Sequence, residues 1–167
     1  MNVEHADDLK KAIFGLHWKF IHLTEEYESQ EHANLAEQAR ACGITDCPDS
    51  VTSIHVVDCI GKHEPINNTA IAERMELSKA SITKISAKLV DHGFITRARM
   101  PDNKKEIYFH LTPKGKKLYE LHDKMHRAGE ERFNRFLSRY SGAELDFIRI
   151  FFEDAVNEVE NAIQKEM

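Results

Sequence analysis

A chain of 167 residues is long enough for one compact domain with helical extensions, and its 41% apolar content argues against disorder. The net charge of −5 at first disfavours a polyanion partner, but Arg74 to Lys117 carry 11 Lys and Arg against 4 Asp and Glu, while the rest of the chain carries 12 against 24. Three cysteines, an N-terminus without an apolar targeting core, and no apolar run near the about 18 residues that cross a bilayer predict a cytoplasmic chain with reduced thiols and no membrane insertion.

The first third reads as one long helix, because Leu9, Ile13, Leu16, Phe20, Leu23 and Tyr27 recur at alternating steps of four and three, a heptad seam. Phe14, Trp18 and Ile21 widen that seam, which predicts packing against several other helices or a second copy of the chain. ACGITDCPDS breaks the pattern as a loop, and Asp49 or Ser50 caps a second helix running to about Ile60. Gly61 and Pro65 are expected to bracket a turn, after which Asn67 or Asn68 caps a short helix, TAIAERM, that buries Ile71 and Met75. Ser78 as N-cap and Gly93 as the residue beyond the C-terminus bound a fourth helix from Lys79 to about His92. Phe94–Met100 and Glu106–Leu111 are strand-like around a PDNKK turn, a β-hairpin with a basic tip. Thr112 and Pro113 open a fifth helix, and SGAE at Ser141 opens a last one with a face of Leu145, Ile148, Phe152, Ala155, Val159 and Ile163. The fold class expected is mainly α with a small β-hairpin (α+β).

Advancing about 100° per residue along the fourth helix puts Ser78, Ile82, Ile85 and Leu89 toward the core. The opposite side collects Ala80, Thr83, Lys84 and Ala87, flanked by Lys79 and Lys88, with no carboxylate before Asp91. Small residues let such a face approach the DNA major groove, Thr and Lys reach base edges and phosphates, and the helix N-terminus favours an anion. A lysine-bearing face is ordinarily just a solvated one. Here a capped helix precedes it by a tight turn, and a hairpin with Arg97, Arg99, Lys104 and Lys105 at its tip follows.

The stretch LSKASITKISAKLVDHGFITRARMPDNKKEIYFHLTPKG, from Leu77 to Gly115, resembles the winged helix-turn-helix of the MarR family of bacterial transcription regulators. The resemblance implies three regions: residues 1–48 as an N-terminal helix for dimerisation, 49–113 as the DNA-binding lobe, and 114–167 as C-terminal dimerisation helices. It also implies a homodimeric repressor on a palindromic operator of double-stranded DNA. The residues expected to meet DNA are Ser78, Lys79, Ala80, Ser81, Thr83, Lys84, Ala87, Lys88, Arg97, Arg99, Asp102, Asn103, Lys104 and Lys105. The family's Asp-x-Arg at the wing reads Asp102-Asn103-Lys104 here, which keeps the charge, loses the planar fork and weakens recognition of a narrow minor groove.

Such a regulator needs a signal, and the chain has 10 histidines. His122 and His126 lie one helical turn apart, a spacing that chelates a transition metal as readily as it occurs in ordinary helix surfaces. Zinc-responsive members of the family are similar in having a His-x-x-x-His pair beyond the wing and a His early in the second helix, the position of His55. Their remaining ligands are Glu and Cys near the end of the first helix and its loop, the region of Glu37, Cys42 and Cys47, although the spacing differs; the tentative site is His55, His122, His126, Glu37 and Cys42 with zinc. Oxidation of Cys42 or Cys47 and an aromatic ligand near Phe14, His17 and Trp18 are the competing signals, with Cys59 assigned to core packing. An enzyme is not expected: the chain has no Gly-rich phosphate loop, nucleophile elbow or paired-cysteine motif. A protein-interaction adaptor built on a winged helix is the reading from another class.

Overall fold

A computed structural model of the chain describes residues 3–101 and 103–165, the side chains of 3, 4, 103 and 104 excepted. The elements in order are α1 (Val3–Ala41), α2 (Val51–His63), β1 (Ile66–Asn67), α3 (Asn68–Met75), α4 (Lys79–Asp91), β2 (Ile95–Met100), β3 (Asn103–Leu111), α5 (Pro113–Leu137) and α6 (Gly142–Lys165). This is the expected mainly helical fold with a hairpin. The short strand β1 was not foreseen: it pairs antiparallel with β3 through Ile66 and Phe109, giving a sheet of order β1-β3-β2. Two residues are too few to show an alternating pattern. Among the described residues no helix is long and apolar enough to cross a membrane.

The caps explain where the helices begin. Ser50 accepts from the Ser53 amide, Asn67 from Ala70 and Ser78 from Ser81, each satisfying one of the free amides of a first turn. Ser50 and Asn67 therefore take the roles that Asp49 and Asn68 also offered. Ser141 and Glu144 form a reciprocal capping box at α6, the side chain of each accepting from the other's amide. Gly93 has φ 69° just past α4, the left-handed conformation that glycine adopts without strain.

Gly61 corrects the expected turn. It lies inside α2, which continues to His63, and a Cβ there would stand 2.6 Å from the Tyr119 ring of α5. Glycine is present for close helix packing rather than for chain reversal. The hairpin is also tighter than expected, because β3 begins at Asn103, which pairs with Met100 beyond a bulge after Ala98. Met75 is only half-buried; Ala72 joins Ile71 in the core instead.

The chain divides into two compact units, one up to Lys124 and one from Met125. The first has a core of apolar residues from α1 through the start of α5, including Leu35, Ile54, Ile71, Ile82, Phe94 and Leu118, all fully buried. LTPKG locks the hairpin to α5: the Thr112 hydroxyl donates to the Gly93 carbonyl at 2.7 Å and accepts from the Gly115 amide. A Cβ on Gly115 would meet the Phe94 carbonyl oxygen at 2.0 Å, so this position admits only glycine. In the second unit α6 has no buried residue.

Candidate nucleic-acid interface and metal-ligand cluster

Helix α4 is held from beneath by Ile82 and Leu89, which are buried, while Ile85 is only half-buried. Ser86 takes the place expected for Ile85, fully buried and donating to Asn68 Oδ1 at 3.3 Å. Ser78, placed on the core side by its angle, is an exposed N-cap. The same Asn68 donates through Nδ2 to the Thr83 hydroxyl at 3.1 Å, and Thr83 donates to the Lys79 carbonyl at 2.8 Å. One asparagine at the start of α3 thus ties α4 to α3 at two positions about one helical turn apart. The sequence signal was the second Asn of INNT, whose capping role Asn67 fills, leaving Asn68 free to reach α4.

The outward face of α4 presents Ser78, Lys79, Ala80, Thr83, Lys84 and Lys88 to solvent, with Ser81 and Ala87 half-exposed. Arg97 and Arg99 on β2 and Lys105 on β3 are exposed as well. Asp102 lies outside the described residues, as do the side chains of Asn103 and Lys104. Long-range attraction for a polyanion is therefore carried by one helix face and by the arginines of one strand. At the base of this face Lys114 donates to Asp46 at 2.6 Å and to the His92 carbonyl at 2.7 Å, with its ammonium 4.2 Å from the centre of the Phe94 ring. That contact pins the loop after α1 to the C-terminus of α4 and holds the Asp46 carboxyl below its ordinary value through the Lys114 hydrogen bond.

Three histidines come together from α2 and α5. His55 on α2 and His122 on α5 have ring centroids 5.3 Å apart. His126 follows His122 by one turn of the same unbroken helix, so helical geometry sets their spacing. One ligand atom from each of the three lies within 4.8 Å of the others, and among the described residues these three form the group that can hold a metal. His122 is buried and the other two are exposed. Glu37 and Cys42, both exposed near the end of α1, are not part of this group. Behind His122 stands a residue the sequence gave no reason to single out: Asp58, whose Oδ1 is 3.4 Å from His122 Nδ1 and whose Oδ2 is 2.8 Å from Lys62.

Three imidazole nitrogens suit a borderline-soft cation such as zinc, whose sites take nitrogen donors and whose bonds of about 2.0–2.1 Å bring ligands closer than they stand here. The cysteines are poorer candidates for a sensor. Burial pushes the Cys47 thiol up, with Asp49 adding to it, and burial also raises Cys59, so neither is biased toward the reactive thiolate. Phe14, His17 and Trp18 are exposed along α1, Phe14 edge-on to Trp18 at 6.1 Å.

Comparison with known proteins follows the same lines. The MarR family profile matches residues 50–107, the segment from the α2 cap into β3. The HTH-type transcriptional regulator PchR of Bacillus subtilis is 40% identical over 155 residues, covering 93% of this chain and 92% of its own. Among solved structures, the zinc-responsive MarR family member ZitR of Lactococcus lactis superposes with a TM-score of 0.62 at 21% identity, over 69% of this chain and 79% of that one. Streptococcus pneumoniae FabT in complex with DNA gives 0.58 at 22% identity, over 82% and 95%. The chain belongs to the MarR family of winged helix-turn-helix, DNA-binding transcriptional regulators, and is a regulator rather than an enzyme.

Proposed function

We propose that the protein is a homodimeric repressor that places one α4 in the major groove of each half of a palindromic operator, and that zinc at His55, His122 and His126 changes its affinity for DNA. In this reading residues 49–113 are the DNA-binding lobe, while 1–48 and 114–167 supply the dimer contacts. The observation that carries the DNA-binding mode is the exposed face of α4, which holds three lysines and no carboxylate before Asp91. Lys84 and Lys88 would meet phosphates, Thr83 and the small Ala80 and Ala87 would face base edges, and Arg97, Arg99 and Lys105 would lie along the adjacent minor groove.

Dimerisation is supported by apolar faces that one chain leaves uncovered. Leu16 and Phe20 on α1 are 67% and 64% exposed, and Phe147 on α6 is 70% exposed. Soluble monomers seldom leave contiguous apolar surface of this kind bare. The metal reading is supported by the convergence of three histidines from two helices and by the likeness of the fold to zinc-responsive ZitR. Bound metal would supply a cross-link between α2 and α5. Because α2 also packs on α3 and α4, fixing α2 biases the placement of the recognition helix, which is the differential contact a switch requires.

A salt titration tests the DNA-binding mode. The logarithm of affinity for DNA from the protein's own genomic neighbourhood should fall linearly with the logarithm of salt, at about 0.9 per phosphate neutralised. Lys84→Ala should lower that slope by about one unit and leave the melting temperature unchanged. A slope near zero, or retention of the full slope in Lys84→Ala, contradicts this placement of α4.

A further inference from the structure

The histidine group accounts for the metal donors but not for Asp58 and Lys62, which stand directly behind it. Asp58 is one turn from His55 on α2, so the same helix face offers a donor and a carboxylate side by side. The carboxylate does not join the three-histidine group; it faces Nδ1 of His122 at 3.4 Å, where the two side chains are 15% and 4% exposed. Lys62, one further turn along α2, holds the other carboxylate oxygen at 2.8 Å.

We propose that Asp58 is the positioning residue of the metal site, holding the His122 ring with its Nδ1 proton toward the carboxylate and Nε2 toward His55 and His126. This rests on the metal-sensing reading above and adds a mechanism to it. An imidazole has two nitrogens, and the partner of one decides which is left to coordinate. A carboxylate behind the ring fixes the tautomer, prevents the ring from flipping and raises the basicity of the coordinating nitrogen. Lys62, which holds the second carboxylate oxygen at 2.8 Å, fixes the Asp58 side chain in its place behind the ring. The 3.4 Å separation is longer than the about 2.7–2.9 Å of a charge-assisted hydrogen bond. A cation held on Nε2 would make the Nδ1 proton more acidic and so strengthen its hydrogen bond to Asp58.

The test uses the full-length protein, zinc chloride and a chromophoric chelator as competitor. Wild type should bind one zinc per chain at this site and His122→Ala should lose it. Asp58→Asn should keep the stoichiometry with an affinity about tenfold to a hundredfold weaker. Lys62→Ala, a change at a half-exposed surface residue that leaves the core untouched, should weaken zinc by a smaller factor of about two to five. Nitrogen-15 NMR of zinc-loaded wild type should show His122 protonated at Nδ1 alone, and Asp58→Asn should broaden or mix that signal. Unchanged affinity and an unchanged tautomer in both variants overturn the role of Asp58 while leaving the three-histidine site standing. Complete loss of the bound equivalent in Asp58→Asn makes Asp58 a ligand and overturns the positioning role. Failure of wild type to bind zinc removes the metal-sensing reading itself.

Discussion

Helices α4 and α6 are both amphipathic, yet they treat their apolar residues in opposite ways. Ile82 and Leu89 of α4 are 0% and 2% exposed, whereas Phe152, Val159 and Ile163 of α6 are each more than half exposed. The apolar face of α4 is filled by its own chain and its opposite face is left small and positive. The apolar face of α6 is left bare, in a helix with Asp146, Glu153, Asp154, Glu158 and Glu160 on its other sides. Uncovered apolar surface costs solubility unless another surface takes it up. The contrast separates a face that completes a fold from a face its own chain leaves uncovered; under the proposed function the positive side of α4 meets DNA and the bare side of α6 meets a second chain.

The comparison breaks most visibly if α6 is made polar. Phe152→Glu with Val159→Glu removes about 3–6 kcal/mol of burial from each chain at the proposed dimer contact. Association should weaken by at least about a hundredfold, read by sedimentation equilibrium, while helical content per chain is kept. A mass that stays dimeric would place the dimer contact elsewhere. The matching change in α4 should do the reverse. Ile82→Ala removes a fully buried side chain and should cost about 2–5 kcal/mol in urea unfolding with the mass unchanged.

A smaller effect sharpens the role of the contact at the base of α4. Asp46 is held below 3.8 by the Lys114 hydrogen bond, so the proton binds the unfolded chain more readily than the folded one. Its contribution is fully present above the ordinary carboxylate value and is lost as pH falls through the lower folded value. Asp46→Asn should therefore lower the melting temperature near neutral pH, and the gap from wild type should close as pH falls below about 4. A gap that stays constant across that range would assign the loss to packing rather than charge.

The sequence made α4, its caps and the hairpin legible because each is written locally: Ser78, Gly93, the 3.6-residue period and the Pro101 turn are signals within a few residues of what they specify. The same holds for His122 and His126, whose spacing is one helical turn. What stayed hidden depends on contacts between distant segments. Gly61 reads as a chain breaker and is in fact the slot for Tyr119, and the two residues of β1 gain their meaning only beside β3. Asn68 reads as a cap and instead braces Thr83 and Ser86. Asp58 reads as an ordinary polar position on α2 because its partner, His122, is more than sixty residues away. Glu37 and Cys42 match a ligand region only by position along the chain, and the three-histidine group does not include them.

Under the proposed function, metal at the histidines of α2 and α5 changes what α4 does on DNA. The direct measurement is operator affinity at fixed salt, for wild type and His122→Ala, with zinc and with zinc removed by chelator. A coupling of about 1–3 kcal/mol predicts a change of about 5- to 150-fold in wild type and none in His122→Ala. Equal affinity with and without zinc in wild type, or the same zinc response in His122→Ala, contradicts the account.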